Sequence, residues 1–307
     1  MDNSLSDIPE LSCTHKEADP RLALHAVHAS RCYPGKNIAV VSDDTDVYII
    51  LLSVIPKMRG QLFFRQGKST VGKGIEYHNV TSLAGVLGER CCRNLPAFYA
   101  LTGCDFTYPF FQRSKYLVFS LMMNLRKAKN RRVSVHLLDS LGTENVNVDA
   151  IIDFVLHTVY NRPIKEKTPK DSRLALLHVV KGKNKKYRST KLIPPDESLL
   201  IMKIKRCNLV AYPWANCLNT QLQPMSPTDN GWKVSDDILV PVWFDGTSLP
   251  SDKEYDAHTR EKQLAAVAQE LEDDEDMESD ESDSECDSDE YPESDDDSFR
   301  YEENNDD

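Results

Sequence analysis

Five carboxylates fall where regular structure is expected to begin or end: Glu17 and Asp19, Asp44 and Asp46, and Asp105. The densest group lies in NIAVVSDDTD, Asn37 to Asp46, where an apolar run gives way to Ser42, Asp43, Asp44, Thr45 and Asp46. Open α/β sheets gather their functional groups just outside the carboxyl ends of strands, and these aspartates stand there. Clustered carboxylates repel one another unless a cation neutralises them. Carboxylates that hold two divalent ions about 4 Å apart can activate water and stabilise a leaving oxygen, the requirement of phosphodiester cleavage. Hard oxygen donors suit Mg2+ or Mn2+. A cation-free reading also exists, in which Asp44 or Thr45 caps a helix through VYIILL.

The elements that must position these groups follow from pattern. Ile38-Ala39-Val40-Val41 reads as a strand buried on both faces, as in a parallel sheet. Asp19-Pro20 reads as N-cap and first residue of a helix reaching about Ser30. His25 and His28 share a face of that helix and read as surface residues rather than metal ligands. A short helix is expected from Val47 to Ile55. Strands at 61–65 and 74–78 flank a loop with Lys68, Gly72 and Lys73, read as a hairpin. Helices follow from Thr81 or Ser82 to Gly88, from Leu95 to Leu101, from Tyr116 to Leu125 and from Val148 to Tyr160. Asp171 to Val180 is helix or strand. Pro195 opens a long helix to about Cys217, Gly231 to Phe244 forms a β-hairpin, and Glu261 to Leu271 a last helix.

Charge is divided unevenly along the 307 residues. Residues 272–307 hold 21 acidic side chains and one basic, Arg300, whereas residues 1–271 hold 36 basic and 28 acidic. The basic body suits a polyanion; the acidic tail cannot. No run is long and apolar enough for a membrane span, so no membrane partner is expected and the compartment is intracellular. The eight cysteines lack zinc-ligand spacing and read as reduced, mostly buried thiols.

Three motifs in order, E-A-D before a helix, S-D-D-T-D after an apolar strand and A-L-T-G-C-D-F, resemble the acidic motifs of flap endonuclease-type 5′ nucleases in the PIN-like superfamily. A group of poorly characterised metazoan, transposon-like proteins with EAD, SxDTDV and LTGCD is similar too, and GWKV and LVPVWF extend that likeness. The resemblance covers roughly residues 15–250. It implies an α/β fold: a partial PIN-like domain with a parallel sheet at 15–130, lacking its N-terminal strands, after a flexible segment 1–14. A mainly helical extension with the hairpin follows at 131–255, then a helix at 256–271 and a disordered acidic tail at 272–307. It makes Glu17, Asp19, Asp44, Asp46 and Asp105 the catalytic and metal-holding set, with Mg2+ or Mn2+ as cofactor if the protein is active. The family's sheet also carries two earlier aspartates that this sequence does not contain. A second chain supplying that half is therefore an expected partner, and little turnover is expected from this chain alone.

In the family, glycine-rich backbone approaches the DNA phosphates. Phe111 to Lys115 contains no glycine, so Arg113 and Lys115 would make such contacts here. Lys68, Lys73, Arg126, Lys127, Arg131 and Arg132 are the other candidates for binding DNA or RNA. The cluster 126–132 reads equally as a solvated helix end, a nuclear localisation signal or a phosphate patch, and the nucleus is preferred over the cytoplasm. Ser279, Ser282, Ser284 and Ser288 lie among acidic residues that suit an acidophilic kinase. A catalytically inactive nucleic-acid or protein-binding module is the competing function.

Overall fold

The computed structural model describes residues 7–66, 76–127, 134–160, 168–181, 193–244, 246 and 249–277. Lys68, Lys73, Arg131, Arg132, Ser279, Ser282, Ser284 and Ser288 lie outside them, as do residues 278–307. The chain is mixed α/β and divides into two units, Met1–Tyr255 and Asp256–Asp307.

In the first unit, helix α1 (Ala18–Cys32) leads to strand β1 (Ile38–Val41), then α2 (Thr45–Val54). Strand β2 (Leu62–Arg65) runs parallel to β1, with Ile38 opposite Leu62 and Val41 opposite Arg65. Strand β3 (His78–Asn79) lies antiparallel to β2, the pairing expected of a hairpin whose tip is outside the described residues. The strand order is β1-β2-β3.

Burial on both faces of β1 is not observed. Val40 faces the core, whereas Ala39 is exposed and Val41 is 54% exposed. Side chains alternate across a strand, and this small sheet has one covered face, which takes Val40, Leu62 and Phe64. Among the described residues β1 pairs only with β2.

Helix α3 (Val80–Leu87) starts two or three residues earlier than Thr81 or Ser82 would allow as caps. Asn79 is the cap, its side chain accepting from Ser82 N at 2.9 Å, while Thr81 Oγ1 accepts from Leu62 N at 2.9 Å and ties the helix to the sheet. Helix α4 (Glu89–Thr102) begins well before Leu95 and carries Pro96 inside it. Cys91, Cys92, Leu95, Phe98 and Leu101 bury its length, so packing outweighs the missing N–H of the proline. α5 (Lys115–Lys127) lies on this helix through Phe98 and Phe119, whose rings are 5.8 Å apart.

α6 (Val148–Phe154) continues into a π-helical turn, Val155–Val159, and α7 (Pro169–Lys181) resolves the helix-or-strand alternative as helix. α8 (Glu197–Ala215) is capped by Asp196, whose side chain accepts from Ser198 N at 3.1 Å, so Pro195 precedes the cap rather than following it. The buried Asn208 of α8 accepts from Gly142 N at 2.6 Å and donates to Thr143 O at 2.9 Å. One core runs from Ala23 to Cys217 and joins residues 15–130 to 135–160 and 200–217, while Leu176, Leu177 and Ile193 form a second, smaller cluster.

The hairpin forms as expected from β4 (Trp232–Ser235) and β5 (Ile238–Pro241). Asp236 and Asp237 make its turn with φ of 51° and 61°, the left-handed pair of a two-residue hairpin loop. Helix α9 (Asp252–Met277) starts in the first unit and continues into the second. It overruns the expected 256–271 span and takes up residues 272–277 of the acidic stretch. Extending an existing helix is far cheaper than nucleating one, even where acidic residues oppose the C-terminal dipole. Cys13, Cys32, Cys92, Cys104, Cys207 and Cys217 are free thiols.

Candidate acidic site and the aromatic cavity beside it

The N-terminal arm is pinned across the end of α8. Thr14 N donates to Thr220 O at 2.8 Å, Thr14 Oγ1 to Leu222 O at 2.8 Å, and His15 Nε2 lies 3.0 Å from Cys217 O. Glu17 follows in extended backbone at the N-cap position, with no side-chain capping bond. Asp19 therefore stands in the first turn of α1 rather than at its cap, and neither carboxylate is spent on helix amides. The sequence pattern suggested otherwise because Pro at the first helical position is so favourable; here Pro20 is buried one turn in. Burial pushes the Glu17 carboxyl up, the Asp19 charge adds to this, and the Trp214 N–H pulls it back. Trp214 itself is buried, and among the described residues its Nε1 meets no acceptor at hydrogen-bonding geometry.

Asp44 does cap α2: its Oδ1 accepts from Asp46 N at 2.8 Å, and Ser42 Oγ in turn accepts from Asp44 N at 3.1 Å. Capping aims the Asp46 side chain inward, where it is only 6% exposed. Burial raises the Asp46 carboxyl to about 6, with Asp44, Asp105 and Asp19 adding to the effect and Lys115 opposing it. Asp19 is raised by burial first, then by Asp44 and Asp105.

Asp105 follows the end of α4. Gly103 has φ +113°, and a Cβ there would meet Pro109 N at 2.9 Å, so only glycine fits the turn. Cys104 and Thr107 exchange backbone hydrogen bonds around Asp105, and Thr107 Oγ1 anchors the turn on Ala100 O at 2.5 Å. One link ties this element to the capped aspartates: Tyr99 OH lies 2.9 Å from Thr45 Oγ1. The Lys115 ammonium sits 2.9 Å from the centroid of the same Tyr99 ring. Three motifs far apart in sequence thus share one electrostatic neighbourhood.

That neighbourhood is not a closed ligand shell. Among the described residues no group of three or more His, Cys, Asp or Glu side chains is arranged to hold a metal ion. One oxygen of Asp44 is committed to its cap. The cation nearest in effect is Lys115.

Of the expected nucleic-acid contacts, Arg113 lies over Tyr160, 5.3 Å from its centroid, and Lys115 over Tyr99. Gln112 between the Phe110 and Arg113 bridge partners has φ 52°, so the chain adopts at a glutamine the left-handed turn that glycine would take without cost. Arg126 and Lys127 end α5.

Sequence reasoning missed a second feature. A cavity of about 810 Å3 opens beside Asp105, lined by Phe106, Tyr108, Phe111, Trp232, Trp243 and Phe244. Lys203 and Arg206 reach it from α8. Glu17 and Asp105 together line a smaller adjoining cavity of about 420 Å3. The available signals were the i, i+3 pair Lys203/Arg206 on one helix face and the tryptophans at both ends of the hairpin.

No family model, no curated protein and no solved structure matches this chain. No helix among the described residues is long and apolar enough to cross a membrane.

Proposed function

We propose that the chain is a divergent, metal-dependent 5′ nuclease-like protein of PIN-like fold that binds nucleic acid. The supporting observation is that the charges of Asp44 and Asp105 add to the burial-driven rise of both the Asp19 and the Asp46 carboxyls, which brings carboxylates from all three motifs into one neighbourhood. Repulsion among hard oxygen donors, offset here only by Lys115, is what Mg2+ or Mn2+ would relieve, and Asp19, Asp44, Asp46 and Asp105 are the ligands this chain would contribute to a shell that it does not complete by itself. The ion's contribution would be an activated water and a stabilised leaving oxygen. The chain's own residues orient that chemistry: Tyr99 and Thr45 lock α4 to α2, and Lys115 carries positive charge to where a phosphate would lie.

A second chain that adds carboxylates would complete the site, so turnover by this chain alone is expected to be very low. The capped Asp44 and open carboxylate array favour one other reading, an inactive module that binds nucleic acid without cutting it. The basic run 126–132 supports a nuclear location.

Calorimetric titration with Mn2+ tests the metal reading. Binding is expected for the wild type, absent in Asp46→Asn, and stronger as pH rises through about 6, because a protonated Asp46 cannot act as a ligand. Wild-type protein that takes up no Mn2+ at pH 7.5 leaves the inactive module as the function.

A further inference from the structure

We infer that the aromatic cavity beside Asp105 is a nucleobase-binding site that takes unpaired nucleotides of a single strand, bases against its rings and backbone toward Lys203. This rests on the nucleic-acid reading and adds to it where the strand lies and what recognises it.

The rings are placed for stacking rather than for core packing. Phe106 is 60%, Tyr108 81% and Trp243 68% exposed, although each lines a cavity of about 810 Å3. Large aromatic faces left in water at one concave site are a loss that a ligand of similar character offsets. Every base has a π-face, so such platforms bind single strands with little regard to sequence.

The cations separate a nucleic acid from an apolar peptide. Arg206 is already engaged: Nε donates to Gly231 O at 3.1 Å and an Nη to Val242 O. Its guanidinium lies 5.9 Å from the Trp232 ring and 5.6 Å from the Trp243 ring. It is therefore a positioning residue that fixes the hairpin tryptophans against α8. Lys203 differs. Its ammonium donates to Tyr108 O and lies 4.6 Å from the Phe110 centroid, and it pairs with no carboxylate among the described residues. Burial pushes its pKa down, as expected of a cation short of counter-charge. A phosphate in the cavity supplies that charge. Asp105 borders both this cavity and the smaller one it shares with Glu17, so a strand seated on the rings leads its backbone to the acidic site.

The test is tryptophan fluorescence of the full chain titrated with short oligothymidylate, oligouridylate and a DNA duplex of equal length. Both single strands are expected to quench and to bind at least tenfold tighter than the duplex; a preference between them distinguishes DNA from RNA as the source. Trp243→Ala, at a largely exposed position that spares the core, should weaken single-strand binding about tenfold or more. Lys203→Gln should lower the slope of log affinity against log salt by about one. Trp243→Ala should leave Mn2+ uptake unchanged. Equal oligonucleotide affinity for Trp243→Ala and wild type, with Mn2+ uptake intact, overturns the base site and leaves the metal reading standing. Ring-dependent single-strand binding by a wild type that takes up no Mn2+ supports the base site and defeats the metal. Quenching by a proline-rich peptide but by no oligonucleotide overturns the inference.

Discussion

At Asp46 two requirements meet: its backbone N–H is held by the Asp44 cap, and its own carboxyl is nearly sealed among like charges. Its carboxyl rises from an ordinary 3.8 to about 6, so the folded state binds the proton more tightly than the unfolded chain. The resulting stabilisation is complete below about pH 3.8 and is lost as pH rises through about 6. Asp46→Asn should therefore make the metal-free protein more stable at pH 7.5, by on the order of 2 kcal/mol, and flatten the pH dependence between 4 and 7. Urea melts at both ends of that range check this; a variant less stable than wild type at pH 7.5 would refute it.

The turn that presents Asp105 depends on a glycine at α4's end. Gly103→Ala puts a Cβ 2.9 Å from Pro109 N and leaves an alanine at φ +113°, so a loss of roughly 2 kcal/mol or more is expected, read as a lowered Tm. At the hairpin the direction reverses. Asp237 already sits at φ 61°, and Asp237→Gly should stabilise by about 0.5–1 kcal/mol, measurable in denaturant melts. Such local features explain what the sequence revealed. The Asp44 cap, α2 and the β4–β5 hairpin follow from side chains within a few residues of one another. The open face of β1 did not: an apolar run of four looks alike whether one face or two are covered. The starts expected at Thr81/Ser82 and Pro195 moved because Asn79 and Asp196 nearby supply the capping oxygen, whereas α1 starts ahead of Asp19, directly after Glu17, with no side-chain cap at all. The cavity was illegible for another reason, since Phe106, Lys203 and Trp243 meet only through the packing of α4, α8 and the hairpin.

Across the whole molecule, charge is partitioned rather than mixed. Removing residues 272–307 takes away 21 acidic side chains and one arginine and leaves 36 basic against 28 acidic. The shortened chain should be retained on heparin at pH 7 and low salt and elute as salt rises, while the intact chain, at net −12, elutes earlier. Identical elution of the two would show that the tail's charge leaves polyanion binding unaltered.

Among the described residues β1 is paired on one side alone, and this gives its backbone two rates of isotope exchange. Ile38 N donates to Gln61 O at 2.9 Å and Ser42 N to Arg65 O at 3.2 Å, and Val40 faces the same way by the parity of a strand. The amides of Ala39 and Val41 point the opposite way, toward an edge with no partner strand among the described residues. In heavy water the first three should retain hydrogen while the other two lose it quickly. Any strand that docks on this edge would slow only the second set, so the two amides of Ala39 and Val41 are a built-in reporter for strand addition there.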